Sequence, residues 1–160
     1  MISEGESEAL EFKQSLRWSY KEGVVNKKLE GVILKTIAAF SNGDGGTLLM
    51  GVDDEGNAVG LEKDYSSLKG EKDEFELHLR NLVNKTFGIS FAATNLKVTF
   101  PIVNENEICQ VEIKRSGQPL YLEVADKNGI KSEKLYVRSG NSSQEIPLSE
   151  VSDYVSGRFS

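Results

Sequence analysis

One cysteine, one histidine and three prolines are all that 160 residues hold of these types. A lone Cys109 cannot close an internal disulfide, and one cysteine with one histidine cannot hold structural zinc. A reduced, cytoplasmic setting is the expectation. No stretch approaches the ~18 apolar residues of a membrane span. Met1 to Glu8 is acidic and polar and does not read as a secretory signal. A basic excess is missing too, because 19 Lys and Arg face 25 Asp and Glu, for a net charge of −6. The totals therefore lack the usual footprint of nucleic-acid binding, although totals say nothing of a local basic face.

What is present points to an ordered domain. Seven Phe, five Tyr and one Trp argue against disorder, and the length suits one domain over residues 1–160. Charge is uneven along the chain. Residues 1–35 carry six basic and six acidic groups, and residues 110–160 carry seven of each. Residues 36–109 carry six basic and twelve acidic groups, so the whole acidic excess lies there.

Ala9 to Gln14 alternates, with Leu10 and Phe12 on one face and Glu11 and Lys13 on the other, as in a half-buried strand. Ser15 to Asn26 has no clear period and reads as a loop. Lys27 to Ser41 is the clearest helix, with Leu29, Val32, Ile33, Thr36, Ile37 and Phe40 on one face. Asn42 and Gly43 are expected to stop it in a left-handed cap. Thr47 to Val52 is a nearly continuous apolar run, hence a central strand covered on both faces. Asp53 to Asn57 reads as a hairpin turn into Ala58 to Leu61. Glu71 to Phe87 is a second helix and Leu148 to Phe159 a last one. Leu96 to Phe100, Cys109 to Ile113, Leu120 to Val124 and Lys134 to Arg138 are shorter strands. The class is α+β, a mixed β-sheet flanked by about three helices. Tyr154 to Ser160 closes the last helix, which suits one domain cut from a longer protein.

Three carboxylates stand out. Glu11 lies on the polar face of the first strand, Glu6 precedes it by five residues, and Asp54 follows the apolar strand. Small groups of oxygen ligands suit magnesium or manganese. Lys13 shares the face of Glu11, and a carboxylate cluster with a lysine is a minimal kit for phosphodiester cleavage. Solvated charges on an edge and in a turn are the plainer reading of the same spacing.

Gly43 to Gly46 does not make a phosphate loop. No Gly-Lys-Ser/Thr follows, and the order is helix to strand. A classical ATP site is not expected. Arg138 to Ser143 is a polar loop that could take phosphate or be an ordinary turn. Arg17, Trp18, Tyr20 and Lys21 interleave aromatics with cations, which suits stacked bases and phosphates. They could equally cover a core edge. Lys27 and Lys28 add positive charge at the helix start. His78 flanks an apolar stripe with no partner evident, and Cys109 reads as a small core residue.

Taken together, these residues resemble the Alba-like domain family of the Schlafen proteins. The match rests on Glu6 to Lys13, Ala38 to Asn42, Gly45 to Asp54, Gly60 and Tyr136 to Ser142. The resemblance implies a nucleic-acid-linked domain with a mixed sheet flanked by helices. Similar bacterial domains are attached to helix-turn-helix or ATPase segments. In animal Schlafens, a similar domain cleaves RNA with two glutamates, one aspartate and a divalent metal. Residue by residue, the resemblance puts Glu6, Glu11 and Asp54 on that metal and Lys13 beside the scissile phosphate. Arg17, Lys21, Lys27, Lys28 and Arg138 become candidate contacts to nucleic acid. Departures are clear. The animal core combines two lobes in one chain and carries zinc, whereas this chain has one lobe and no zinc ligands. Either a homodimer supplies the second lobe or the activity is absent.

Two readings stand. One is a nucleic-acid-binding domain that is a metal-dependent endonuclease on RNA or DNA. The other is a non-catalytic DNA-binding, regulatory or partner-binding module of a larger transcriptional regulator or ATPase-linked protein.

Overall fold

The computed structural model describes residues 2–159; Met1 and Ser160 lie outside them. After a 3-10 turn at Ile2–Glu4 come β1 (Leu10–Lys13), β2 (Trp18–Ser19), β3 (Val24–Val25) and α1 (Lys28–Asn42). Next are β4 (Gly46–Met50), α2 (Glu62–Ser67), α3 (Lys72–Phe87), α4 (Ile89–Asn95), β5 (Leu96–Thr99), β6 (Ile102–Val103) and β7 (Asn106–Glu107). The chain continues through β8 (Cys109–Ile113), β9 (Tyr121–Ala125), β10 (Lys131–Ser139), β11 (Ser142–Glu145) and α5 (Leu148–Phe159). The class is the expected α+β. The three expected helices are α1, α3 and α5, and two short ones, α2 and α4, add to them.

The main sheet has the order β1-β4-β8-β5. β1 runs parallel to β4, and the β4–β8 and β8–β5 pairs are antiparallel. Alternation sorts its side chains as period-2 geometry requires. Leu10, Phe12, Leu49, Val52 and Ile108 form a small core on one face. Leu48, Met50, Cys109, Val111 and Ile113 join the larger core on the other. β4 is thus the central strand covered on both faces that its apolar run predicts. Cys109 is fully buried, and that burial pushes its thiol pKa up.

α1 is the most buried helix. Ile33, Thr36, Ile37 and Phe40 carry the expected stripe, but Leu34, Ala38, Ala39, Ser41 and Asn42 are buried as well. The cause is a second layer, the antiparallel sheet β11-β10-β9, which packs on the opposite side of α1. At the helix start, Asn26 Oδ1 accepts the Lys28 N–H at 3.0 Å. At its end, the Gly43 N–H reaches the Ala39 and Phe40 carbonyls. Gly43 has φ −99°, so the expected left-handed cap is not there. The left-handed residue is Gly45, φ +83°, whose N–H donates to the Phe40 carbonyl. Gly46 follows, and a Cβ there would stand 2.4 Å from the Phe40 ring.

The polar stretch after Arg138 is a hairpin rather than a loop. Arg138 pairs with Ser143 and Ser139 with Ser142. Gly140 has φ +60° in the intervening two-residue turn. Ser15 to Asn26 is a tight excursion carrying the small β2–β3 hairpin. Among the described residues no helix is long and apolar enough to cross a membrane.

Asn42 joins the layers. Its Nδ2 donates to the Leu120 carbonyl at 3.0 Å and the Tyr136 carbonyl at 2.9 Å, and its Oδ1 accepts the Leu120 N–H at 2.8 Å. The Tyr154 hydroxyl donates to the Asn42 carbonyl, and Arg158 donates to the Gly43 carbonyl, which docks α5 at the same junction. Asn42→Ala strips partners from three part-buried backbone groups, so it is expected to destabilise the fold by roughly 1–3 kcal/mol. Urea unfolding followed by circular dichroism checks this through a lowered midpoint at unchanged slope.

Candidate nucleic-acid interface

The carboxylate pair is built by the start of β1. Ser7 bridges back to Leu10, which turns the chain so that Glu6 lies alongside the strand. Glu6 Oε2 accepts the Phe12 N–H at 2.9 Å. Glu11, on the α1 side of β1, is buried although charged. Arg138 answers that charge from β10. Its Nη1 donates to Glu11 Oε1 at 2.6 Å and its Nη2 to the Ser7 carbonyl at 2.7 Å. The guanidinium lies over the Phe40 ring, 4.6 Å from the centroid. Only 3% of the Arg138 side chain is exposed. Lys13 Nζ is 3.6 Å from Glu11 Oε2.

Two carboxyls in contact cannot both ionise freely. Burial and the hydrogen bond with Glu11 raise the Glu6 pKa to about 7, against the opposing Phe12 N–H. Burial would raise Glu11 as well, but the hydrogen bonds from Glu6 and Arg138, with the Lys13 charge, hold it below the ordinary range. The proton of the pair is therefore favoured on Glu6, while Glu11 is the anion that Arg138 neutralises.

Asp54 stands apart in this arrangement. It is exposed in the turn after β4, where neighbouring Asp53 caps the Glu55 and Asn57 N–H groups. Among the described residues no group of three His, Cys, Asp or Glu is placed to hold a metal ion. Glu11 has its oxygens on Arg138 and Lys13, and Glu6 is engaged with Phe12 and Glu11. The three carboxylates singled out by sequence therefore do not form one ligand set: Glu6 and Glu11 come together and Asp54 does not join them.

The aromatic and basic loop is tied down by hydrogen bonds. Buried Asp64 accepts the Leu16 N–H at 2.8 Å and the Arg17 N–H at 3.1 Å. Burial raises the Asp64 pKa, and these backbone bonds oppose the rise. Ser15 Oγ donates to the Trp18 carbonyl. Arg17 is turned inward, with 12% of its side chain exposed and Nε 3.4 Å from Glu30 Oε2. His78 supplies the other partner of Glu30, at 2.6 Å. Arg17 and Arg138 are thus interior counter-ions.

The lysines face solvent. Lys21, Lys27 and Lys28 are exposed, and Lys21 and Lys28 have no carboxylate partner among the described residues. Lys13 and Lys21 join Trp18 and Tyr20 around a cleft of about 220 Å³, floored by Leu29, Val32 and Ile33 of α1. Lys63, outside the residues singled out by sequence, lies over the Trp18 ring at 5.6 Å. Only the fold could disclose it, because 45 residues separate the two.

With its mixed sheet, its carboxylate pair and its late Arg138 hairpin, the chain belongs to the Schlafen, AlbA_2 family, whose model matches residues 6–147. It is thereby a domain of a nucleic-acid-related family. Its fold is similar to the crystal structure of the DIP2311 protein from Corynebacterium diphtheriae, with TM-score 0.60 and 16% identity. That match covers 96% of this chain and 28% of the other, so this chain spans little more than a quarter of that protein. A looser likeness, TM-score 0.43 and 20% identity, is to the N-terminal domain of a RecG-related protein from Nitrosomonas europaea, covering 88% and 82% of the two chains. No curated protein matches the chain.

Glu6 gives a pH signature. Its folded pKa of about 7 exceeds its ordinary 4.5, so the folded protein binds more proton than the unfolded chain between those values. The Glu6 contribution to stability is full below pH 4.5 and is lost as pH rises through about 7. Glu6→Gln stays neutral and keeps an acceptor for Phe12. Urea midpoints at about pH 5 and about pH 7.5 are expected to fall further in the parent than in this variant. Equal falls would remove the proton from Glu6.

Proposed function

We propose that this domain binds nucleic acid through the Trp18 cleft and that, with Arg138 seated on Glu11, it does so without cleaving it. The observation that carries the reading is the convergence of Lys13, Lys21, Trp18 and Tyr20 on one cleft at the end of β1. Cations neutralise phosphates, and aromatic faces stack unpaired bases. Family membership supports the same ligand class. Glu62 and Asp64 of the acidic stretch act on Tyr20, and Lys13, Lys21 and Lys63 outnumber them around the cleft.

The nuclease reading asks Glu6, Glu11 and Asp54 to share one divalent ion. The Arg138–Glu11 pair argues against it, since Arg138 supplies the positive charge that the ion would bring. Attachment to a larger regulator or an ATPase-linked protein suits a module of this size. The family resemblance supports that context, as does the small share of the Corynebacterium protein that the match covers.

Trp18 is the sole tryptophan and reports on its own cleft. Titration with RNA or DNA oligomers is expected to quench its fluorescence and to weaken steeply with salt. Lys21→Ala should lower the slope of log K against log salt by about one. Binding that ignores salt, or quenching absent at saturation, would contradict the proposal.

A further inference from the structure

A second and larger cleft lies across α1 from the first. It has a volume of about 740 Å³, bounded by α1, α3, β9 and β10. Val32 of α1 lines both clefts, so the two adjoin over one helix. Lys28, Lys35 and Lys85 stand around the larger one, with Tyr121 and Tyr136 among its walls. None of these three lysines has a carboxylate partner among the described residues. Lys35 Nζ lies 5.7 Å from the Tyr136 ring centroid, and Tyr121 is exposed. Two acidic residues, Glu123 and Glu133, also line the cleft, and Lys131 is 3.7 Å from Glu123. The local balance favours an anion.

We propose that the nucleic-acid track continues over α1 into this second cleft, and that its ligand is a single strand. The inference rests on the Trp18 cleft being a nucleic-acid interface. Two features make the strand single. Each cleft pairs aromatic side chains with lysines, and a base lies on an aromatic face only when it is unstacked and unpaired. Lys28 and Lys35 are seven residues apart on α1, which is about 10 Å along its axis. Phosphates spread along that length need a strand longer than one nucleotide. A duplex keeps its base faces stacked and offers only phosphate contact.

Fluorescence anisotropy with labelled single strands of about 4 and about 12 nucleotides, as RNA and as DNA, tests this together with a 12-base-pair duplex. The longer single strand is expected to bind about tenfold tighter than the short one, and tighter than the duplex. Lys35→Ala with Lys85→Ala should abolish the length advantage and leave the short strand bound as before. The RNA and DNA arms name the sugar that the track accepts. A double variant that keeps the full affinity for the long strand would overturn the second cleft while the first still binds. A duplex bound as tightly as the single strand would overturn the strand preference. No binding of any oligomer at low salt would overturn the Trp18 cleft and this extension together.

Discussion

Glu11 is a charged side chain that the strand pattern drives into the interior, and the rest of the molecule is arranged around neutralising it. β1 alternates, and Leu10 and Phe12 claim the face with the small core. Glu11 must then point toward α1 and the second sheet. A buried carboxylate without a partner costs several kcal/mol, so its partner has to be equally well placed. Arg138 supplies the charge from 127 residues away and fixes β10 against β1. The same guanidinium ties down the Ser7 carbonyl and covers Phe40, which couples the turn before β1 to the end of α1. Asn42, one turn's edge from Phe40, joins that junction to β9 and β10.

This arrangement determines what the carboxylate pair can do. Arg138 answers the charge of Glu11 from within, and contact with Glu11 together with burial favours the protonated form of Glu6. The pair then works as a clamp between layers, and among the described residues no third carboxylate, histidine or cysteine joins it. The positive charge available to a ligand comes instead from lysines displayed around α1. Its two flanks carry different aromatics, Trp18 and Tyr20 on one side and Tyr121 and Tyr136 on the other. A domain with net charge −6 can present such a surface because net charge does not fix how charge is distributed.

Much of the fold was legible before the structure. Helical periodicity placed α1, α3 and α5 to within a residue or so, because each has a long apolar stripe. Alternation placed β1, β5 and β8, and the apolar run placed β4. The short helices α2 and α4 span less than two full turns and have no period to read. β11 is wholly polar, with Ser142 to Glu145 held by its ladder to β10 and not by burial. Of the site, the shared face of Glu11 and Lys13 was legible from period two alone. The roles of Arg138, Arg17 and Glu30 were not, since each depends on a partner brought in by tertiary packing. Glu30 meets partners that sequence spacing does not join to it, His78 from α3 and Arg17 from the loop after β1. Cations chosen by type therefore separated, once folded, into interior counter-ions and solvent-facing lysines.

The claim that the carboxylate pair is neutralised from within is tested most directly by manganese titration followed by electron paramagnetic resonance. The signal of free hydrated manganese is expected to be the same with and without the protein, and equally so for Glu11→Gln. Loss of one equivalent of free manganese per chain, restored by Glu11→Gln, would contradict the account and return Glu6 and Glu11 to the role of metal ligands.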